Sequence, residues 1–305
     1  MYIESVNLSK KYGDFYALRN LNLKIEGSKC VGYLGPNGAG KTTTLKLFTN
    51  LLRPTTGEAI INGYSVKKEI KKALKHVGTL IESPEFYPYL TPMELLSMAC
   101  DIRGASKKDI KNALKKVRLY EWREKKVGKF SKGMKQRLAL AIALATNPEI
   151  LILDEPTTGM DPQGMMEIRE IIRDLKKEGI LIFMSSHLLP EVTYICDEVA
   201  MINRGKLILY DSIENVSRKF STHAVVVEFL SPVEKVEEIE EIKGVRAVNL
   251  ISPYKLRLSF SGGAETQYYI LKELLEKGYR VVSYHSESLA LEKAYIKLIG
   301  GDNLG

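Results

Sequence analysis

Apolar residues change their spacing several times along the chain, and each change predicts an element. The opening runs YIESVNLSKKY and FYALRNLNLKIEG alternate in short apolar blocks broken by Asn and Gly, which predicts two or three strands. CVGYLGPNGAGKTTTLKLF then reads as a β-rich run, a glycine loop and a helix that begins near Lys41. Residues 67–76 and 92–147 are rich in Lys, Leu, Ala and Glu at helical spacing, so a helical insertion is expected there. Strand returns at EILILDEP, helix at PQGMMEIREIIRDLKKEG, strand at ILIFMSSH, helix at LPEVTYICDE, and strands at VAMINRGKLILYD. Strands that alternate with helices predict a mostly parallel sheet covered on both faces, an α/β fold.

After Asp211 the pattern becomes AVVVEFL, VEKVEEIEEIKG, RAVNLIS, YKLRLSF, TQYYILKELLEKG, YRVVSYH and LALEKAYIKLIG, in the order β, α, β, β, α, β, α. That order suits a ferredoxin-like α+β domain of about 85 residues. The expected organisation is a first domain over 1–215, with a helical subdomain at about 83–147, and a C-terminal domain over 216–305.

Composition narrows the class without choosing a function. With 305 residues, 45% hydrophobic and 27% charged, the chain has the balance of a folded protein and not of a disordered or fibrous one. The longest charge-free stretch, Gly179 to Pro190, is 12 residues, short of the ~18 needed to cross a bilayer. The N-terminus lacks the basic start and apolar block of a secretory signal, which favours a cytoplasmic address. Cys30, Cys100 and Cys196 are widely separated, so buried reduced thiols are expected. The net charge is +8, and residues 216–305 balance at 12 basic against 12 acidic, so the excess belongs to the first domain. Within 101–137 there are 14 basic and 4 acidic residues, a surface for nucleotide, nucleic acid, anionic lipid or an acidic partner, or a solvated helical face.

The chemistry gathers in a few short runs. Gly35, Gly40, Lys41 and Thr42 fit G-x-x-x-x-G-K-[ST] between a predicted strand and a predicted helix, the context such a phosphate loop needs. Across Gly35, Pro36, Asn37, Gly38, Ala39, Gly40, Lys41, Thr42 and Thr43, backbone N–H groups and the helix N-terminus can surround phosphates. Lys41 would reach the outer phosphates and the Thr42 hydroxyl would face Mg²⁺. Leu151 to Leu153 lead into Asp154 and Glu155, two carboxylates at the end of an apolar strand, where ligands gather in a parallel sheet. Asp154 would hold Mg²⁺, and Glu155 would orient or deprotonate the attacking water. His187 ends the next strand at the same edge and could hydrogen-bond the outer phosphate.

Over residues 1–215 these elements resemble the ATP-binding-cassette nucleotide-binding subunits, in that family's order. Tyr12 stands where the family stacks an aromatic ring on adenine. Phe130 to Arg137, FSKGMKQR, resembles the signature L-S-G-G-Q-x-Q-R, with Ser131 and Gly133 matched. The resemblance implies that this segment binds the outer phosphate of ATP held by a second protomer. Gly159, Met160 and Asp161 resemble the loop that crosses the dimer seam. Glu82, in VGTLIESPEFYPYLT, occupies the place of the family's usual glutamine, which contacts Mg²⁺ and water. A glutamate keeps an oxygen ligand but adds negative charge near phosphates. Lys132 and Met134 also depart from the signature.

The resemblance implies an α/β P-loop NTPase cassette with a parallel-sheet core, an antiparallel β part and a helical subdomain, using ATP and Mg²⁺. The expected function is the ATPase subunit of a membrane transporter, peripheral at the cytoplasmic face, paired as a homodimer or with a sister subunit. Its permease would be a separate membrane chain, docking in a groove lined by Pro84, Phe86, Tyr87 and Tyr89, the alternative being that these residues are ordinary core. The run IESP together with S-x-G-M-K-Q-R resembles exporters of drugs, antibiotics and antimicrobial peptides. Such ATPases also act on ribosomes and DNA, but those chains carry two cassettes or long coiled coils, so nucleic acid is the lesser reading. The C-terminal domain holds no catalytic constellation, and a stability or dimer-contact role is expected for it.

Overall fold

The first hairpin shows how alternation becomes a buried face. In the computed structural model, β1 (Tyr2–Tyr12) and β2 (Phe15–Glu26) pair antiparallel, and Ile3, Leu8, Leu21, Leu23 and Ile25 are buried. Next comes β3 (Cys30–Leu34), followed by the glycine loop and α1 (Lys41–Phe48). Two short strands, β4 (Thr56–Ile61) and β5 (Tyr64–Ser65), extend the hairpin into an antiparallel sheet of order β2-β1-β4-β5. The structure describes residues 1–82, 85–104, 106–220, 223–286 and 290–300.

The helix expected over 67–76 is only α2 (Ile70–Ala73), after which β6 (Val77–Leu80) enters the central sheet. The insertion over 92–147 divides into α3 (Pro92–Arg103), α4 (Lys107–Lys116) and α5 (Lys132–Leu144). Capping explains the breaks. Thr91 with Glu94, and Ser106 with Asp109, form capping boxes, and Ser131 caps α5. Gly104, at φ 75°, ends α3 in the left-handed region that glycine adopts without strain.

Strands then alternate with helices: β7 (Ile150–Asp154), α6 (Pro162–Lys177), β8 (Leu181–Ser186), α7 (Leu189–Ile195), β9 (Glu198–Asn203) and β10 (Lys206–Ser212). The central sheet has the order β10-β9-β3-β8-β7-β6, parallel except for β10. Every residue of β3, β7 and β8 is buried, as befits strands covered on both faces. Behind the glycine loop, Phe183 meets Tyr33 and Phe48 with ring centroids 5.2 and 6.1 Å apart. Phe183→Ala is expected to cost about 3–5 kcal/mol, read as a lower urea midpoint at unchanged slope. A loss under about 1 kcal/mol would mean that this cluster does not anchor the sheet.

Two compact units divide the chain, Met1–Ile213 and Glu214–Gly305, and α8 (Ile213–Phe220) begins at the boundary. The second unit contains β11 (His223–Phe229), α9 (Glu237–Glu240), β12 (Val245–Ser252), β13 (Lys255–Phe260), α10 (Ala264–Glu276), β14 (Val281–Ser286) and α11 (Ala290–Tyr295). Its sheet is antiparallel in the order β12-β13-β11-β14, over a core of Val225, Val227, Leu256, Leu258, Ile270 and Leu274. Helix α9 is shorter than the run VEKVEEIEEIKG predicts. Glu237 and Glu240 stand three residues apart, with Glu241 just past the helix four from Glu237, and repel, while Ile239 is the helix's one buried anchor.

All three cysteines are free and buried, with Cys30 Sγ 3.6 Å from Cys196 Sγ. No helix among the described residues is long and apolar enough to cross a membrane.

Candidate functional site

Parallel register sends the segments after β3, β6, β7 and β8 to one edge of the central sheet, and the chemistry-bearing residues collect there. Between β3 and α1 the loop is shaped by close backbone approach. A Cβ at Gly35 would fall 2.4 Å from the Ile202 carbonyl oxygen, and one at Gly40 would fall 2.4 Å from that of Ala17. Gly40 also has φ 106°, so only glycine fits without strain. Ala39 donates its N–H to the Pro36 carbonyl at 3.1 Å and accepts from Gly205 N–H at 2.9 Å, which ties the loop to the β9–β10 turn.

Lys41 opens α1 with its side chain 6% exposed. Its Nζ donates to the Gly35 and Pro36 carbonyls at 2.8 and 3.2 Å and lies 3.7 Å from Glu155 Oε1. Burial pulls the Lys41 pKa below its usual value, and the carboxylates of Glu155 and Asp154 restore part of the difference. In front of this lysine lies a cavity of about 480 Å³, lined by Tyr12, Phe15, Ala17, Asn37, Gly38, Gly40, Lys41, Thr42, Thr43 and Glu155. Tyr12 and Phe15 pair across the β1–β2 turn and expose 47% and 65% of their surface, so two aromatic rings stand at its rim.

At the end of β7 both carboxylates are held by hydroxyls. Ser185 lies opposite Asp154 in the parallel register; its Oγ donates to Asp154 Oδ1 at 2.5 Å and accepts from Glu155 N–H at 3.0 Å. Glu155 takes a left-handed φ of 43°, a strained conformation for a residue with a side chain. Thr158 Oγ1 donates to Glu155 Oε2 at 2.8 Å, and His187 Nδ1 lies 3.0 Å from the same oxygen. Burial raises the Glu155 pKa. Hydrogen bonds from Thr158 and His187, with the nearby His187 and Lys41 charges, outweigh that and hold the group below its usual value.

Among the described residues no three His, Cys, Asp or Glu side chains come together as a metal cluster. Thr42 lines the cavity and Asp154 ends β7 at the same sheet edge, so one hydroxyl and one carboxylate are the hard oxygen donors on offer. That fits Mg²⁺, which takes one or two carboxylates, keeps several waters and completes its shell with phosphate oxygens.

Other expected residues are not among those that line this cavity. Ser131 caps α5, accepting from Met134 N–H at 3.2 Å, and Asp161 caps α6, accepting from Gly164 N–H at 2.8 Å. A Cβ at Gly133 would stand 3.8 Å from Gly164 Cα, so the two helix starts adjoin, and the Lys132 ammonium packs against Gly159. The Glu82 carboxylate pairs with Lys46. Tyr87 and Tyr89 are exposed with ring centroids 5.7 Å apart and Phe86 is half-buried, whereas Pro84 lies outside the described residues.

Sequence reasoning missed Phe15, Ser185, Thr158 and Glu191. The last is 1% exposed and accepts from Thr157 and Ser186 hydroxyls, joining the segment after β7 to the start of α7. The run MSSH at the end of a predicted parallel strand was the available signal for Ser185.

Comparison with known proteins follows the same outline. A family model described as ABC transporter matches residues 18–158. The chain is 38% identical to the bacitracin transport ATP-binding protein BcrA of Bacillus licheniformis over 310 residues, 99% of each chain. It is 41% identical to the lantibiotic transport ATP-binding protein SrtF of Streptococcus pyogenes over 218 residues, 70% of this chain and 94% of that one. Among solved structures, an ATP-binding subunit of an ABC transporter aligns with TM-score 0.65 and 28% identity, covering 72% of this chain and 93% of its own. An ATP-binding cassette solved as a dimer in a post-hydrolysis state with ADP and Pi aligns with TM-score 0.62 and 26% identity, covering 69% and 98%.

Proposed function

The chain belongs to the ABC transporter family as an ATP-binding, ATP-hydrolysing subunit, and from that premise we propose that it drives export of a peptide antibiotic through a permease carried on a separate chain. The observation that carries the ATPase reading is the buried Lys41 held 3.7 Å from Glu155 at the cavity wall. The likeness to bacitracin and lantibiotic transport proteins supports the cargo class.

In this reading the Gly35–Thr43 loop and Lys41 hold the phosphates, while Tyr12, joined by Phe15, stacks on the base. Thr42 and Asp154 would hold Mg²⁺, with Glu82 as a further oxygen ligand, and the ion would offset charge on the phosphates. Glu155 is ionised at neutral pH, so it fixes the attacking water and takes up its proton, and His187 holds the carboxylate from the other side. Ser131, Gly133 and Asp161 belong to the face that meets the ATP of a second protomer. There the N-terminal end of α5 favours an anion. Closure on ATP draws its energy from contacts made in the closed pair alone.

The organisation that fits is a cassette over 1–215 with its helical subdomain at 83–147, peripheral at the cytoplasmic face of the membrane. A ferredoxin-like domain covers 216–305, and the sheet order β12-β13-β11-β14 with α9 and α10 as crossovers supports it. A stability or dimer-contact role suits that domain.

The test is to tag the chain in its native host, solubilise membranes in mild detergent and identify what co-purifies. A polytopic membrane protein at equal stoichiometry is expected. Ribosomal proteins or DNA factors without a membrane subunit would overturn the transport role and leave the ATPase chemistry standing.

A further inference from the structure

A carboxylate beside a phosphate site is repulsive unless a cation covers it. Glu82 is a carboxylate on the sheet edge where the phosphate loop lies. It lies two residues beyond Leu80, which pairs with Leu153, so it leaves the sheet at the same edge as Asp154 and Glu155. Its backbone takes φ 66°, a left-handed conformation that a residue with a side chain adopts at a cost. Its side chain reaches back to α1, where its carboxylate meets the Lys46 ammonium. Lys46 follows Thr42 by four residues, hence on the same helix face about 6 Å further along the axis.

We propose that Lys46 is a positioning residue for Glu82: it cancels the glutamate's charge and holds the carboxylate against α1, so that the sheet edge beside the phosphate loop carries no uncovered anion. This rests on the ATPase reading above and adds to it a residue that no phosphate-loop motif includes. Mg·ATP therefore meets a neutral pair in place of a bare anion.

The test is an equilibrium titration of the full chain with a fluorescent ATP analogue, with Mg²⁺ and with EDTA, in a double-mutant cycle. Lys46→Met is expected to weaken Mg-dependent binding about three- to fivefold, the range of a partly exposed ion pair, and Lys46→Arg to keep it. In a Glu82→Gln background the Lys46→Met loss should shrink below about twofold, because no charge remains to be covered. Lys46→Gln serves in the same cycle, with the same expectation, where the methionine variant fails to fold. An equal loss in both backgrounds would mean that Lys46 acts on the nucleotide directly, and no loss in either would mean that the pair is incidental; each overturns the proposal. If the unaltered chain binds no Mg·ATP, the ATPase reading falls, and this one with it.

Discussion

Glu155→Gln is expected to leave ATP binding intact while turnover falls about a hundred- to ten-thousandfold, the scale of a positioned acid–base group. The amide has the size of the carboxylate and keeps an oxygen to accept from Thr158, so the end of β7 should hold its shape. What disappears is the negative charge, which lies 3.7 Å from Lys41 and 3.0 Å from His187. A neutral amide still hydrogen-bonds a water but takes no proton from it. Because the loss falls on the chemical step, the variant should accumulate as an ATP-bound dimer. Phosphate release in a single turnover measures the rate, and gel filtration with and without ATP measures the dimer. Turnover within about fivefold of the unaltered chain would remove Glu155 from the role of base and shift attention to His187.

How far the site could be read in advance depended on whether a signal was local in the chain. Gly35, Gly40, Lys41 and Thr42 announce themselves because the phosphate loop is one continuous run whose glycines answer to backbone clashes, at Ile202 and Ala17, that admit no side chain. Asp154, Glu155 and His187 were legible because apolar strands ending in polar residues imply a common sheet edge. Ser185 was not, since its role depends on lying opposite Asp154 in register, a relation between strands that periodicity does not carry. Lys46 was hidden for the same reason, as its partner lies 36 residues away across a sheet edge. In the fold, the α/β alternation was plain, but α2 and α9 came out far shorter than their composition suggests. A run of Lys and Glu permits a helix without anchoring it; Ala73 in α2 and Ile239 in α9 each give one buried contact.

Lys41→Met is the complementary case, in which binding itself should fail. The ammonium is a nearly buried cation facing two carbonyls and a carboxylate, so much of its hydration has been replaced by fixed partners before any phosphate arrives. Such a group meets an anionic phosphate at little further desolvation cost. Losing one charge-assisted hydrogen bond typically costs about 1.5–3 kcal/mol, so ATP affinity should drop about ten- to a hundredfold, with turnover falling further because Glu155 loses its neighbouring cation. Methionine matches the length and apolar stem of lysine. The Gly35 and Pro36 carbonyls would each lose a donor, while the cost of burying a charge also disappears, so the melting temperature should move little. Calorimetric titration with ATP, set beside a thermal melt, separates the two effects. Weak binding at an unchanged melting temperature assigns Lys41 to the phosphates; binding within about twofold of the unaltered chain would mean that the lysine serves only to close its own loop over the Gly35 and Pro36 carbonyls.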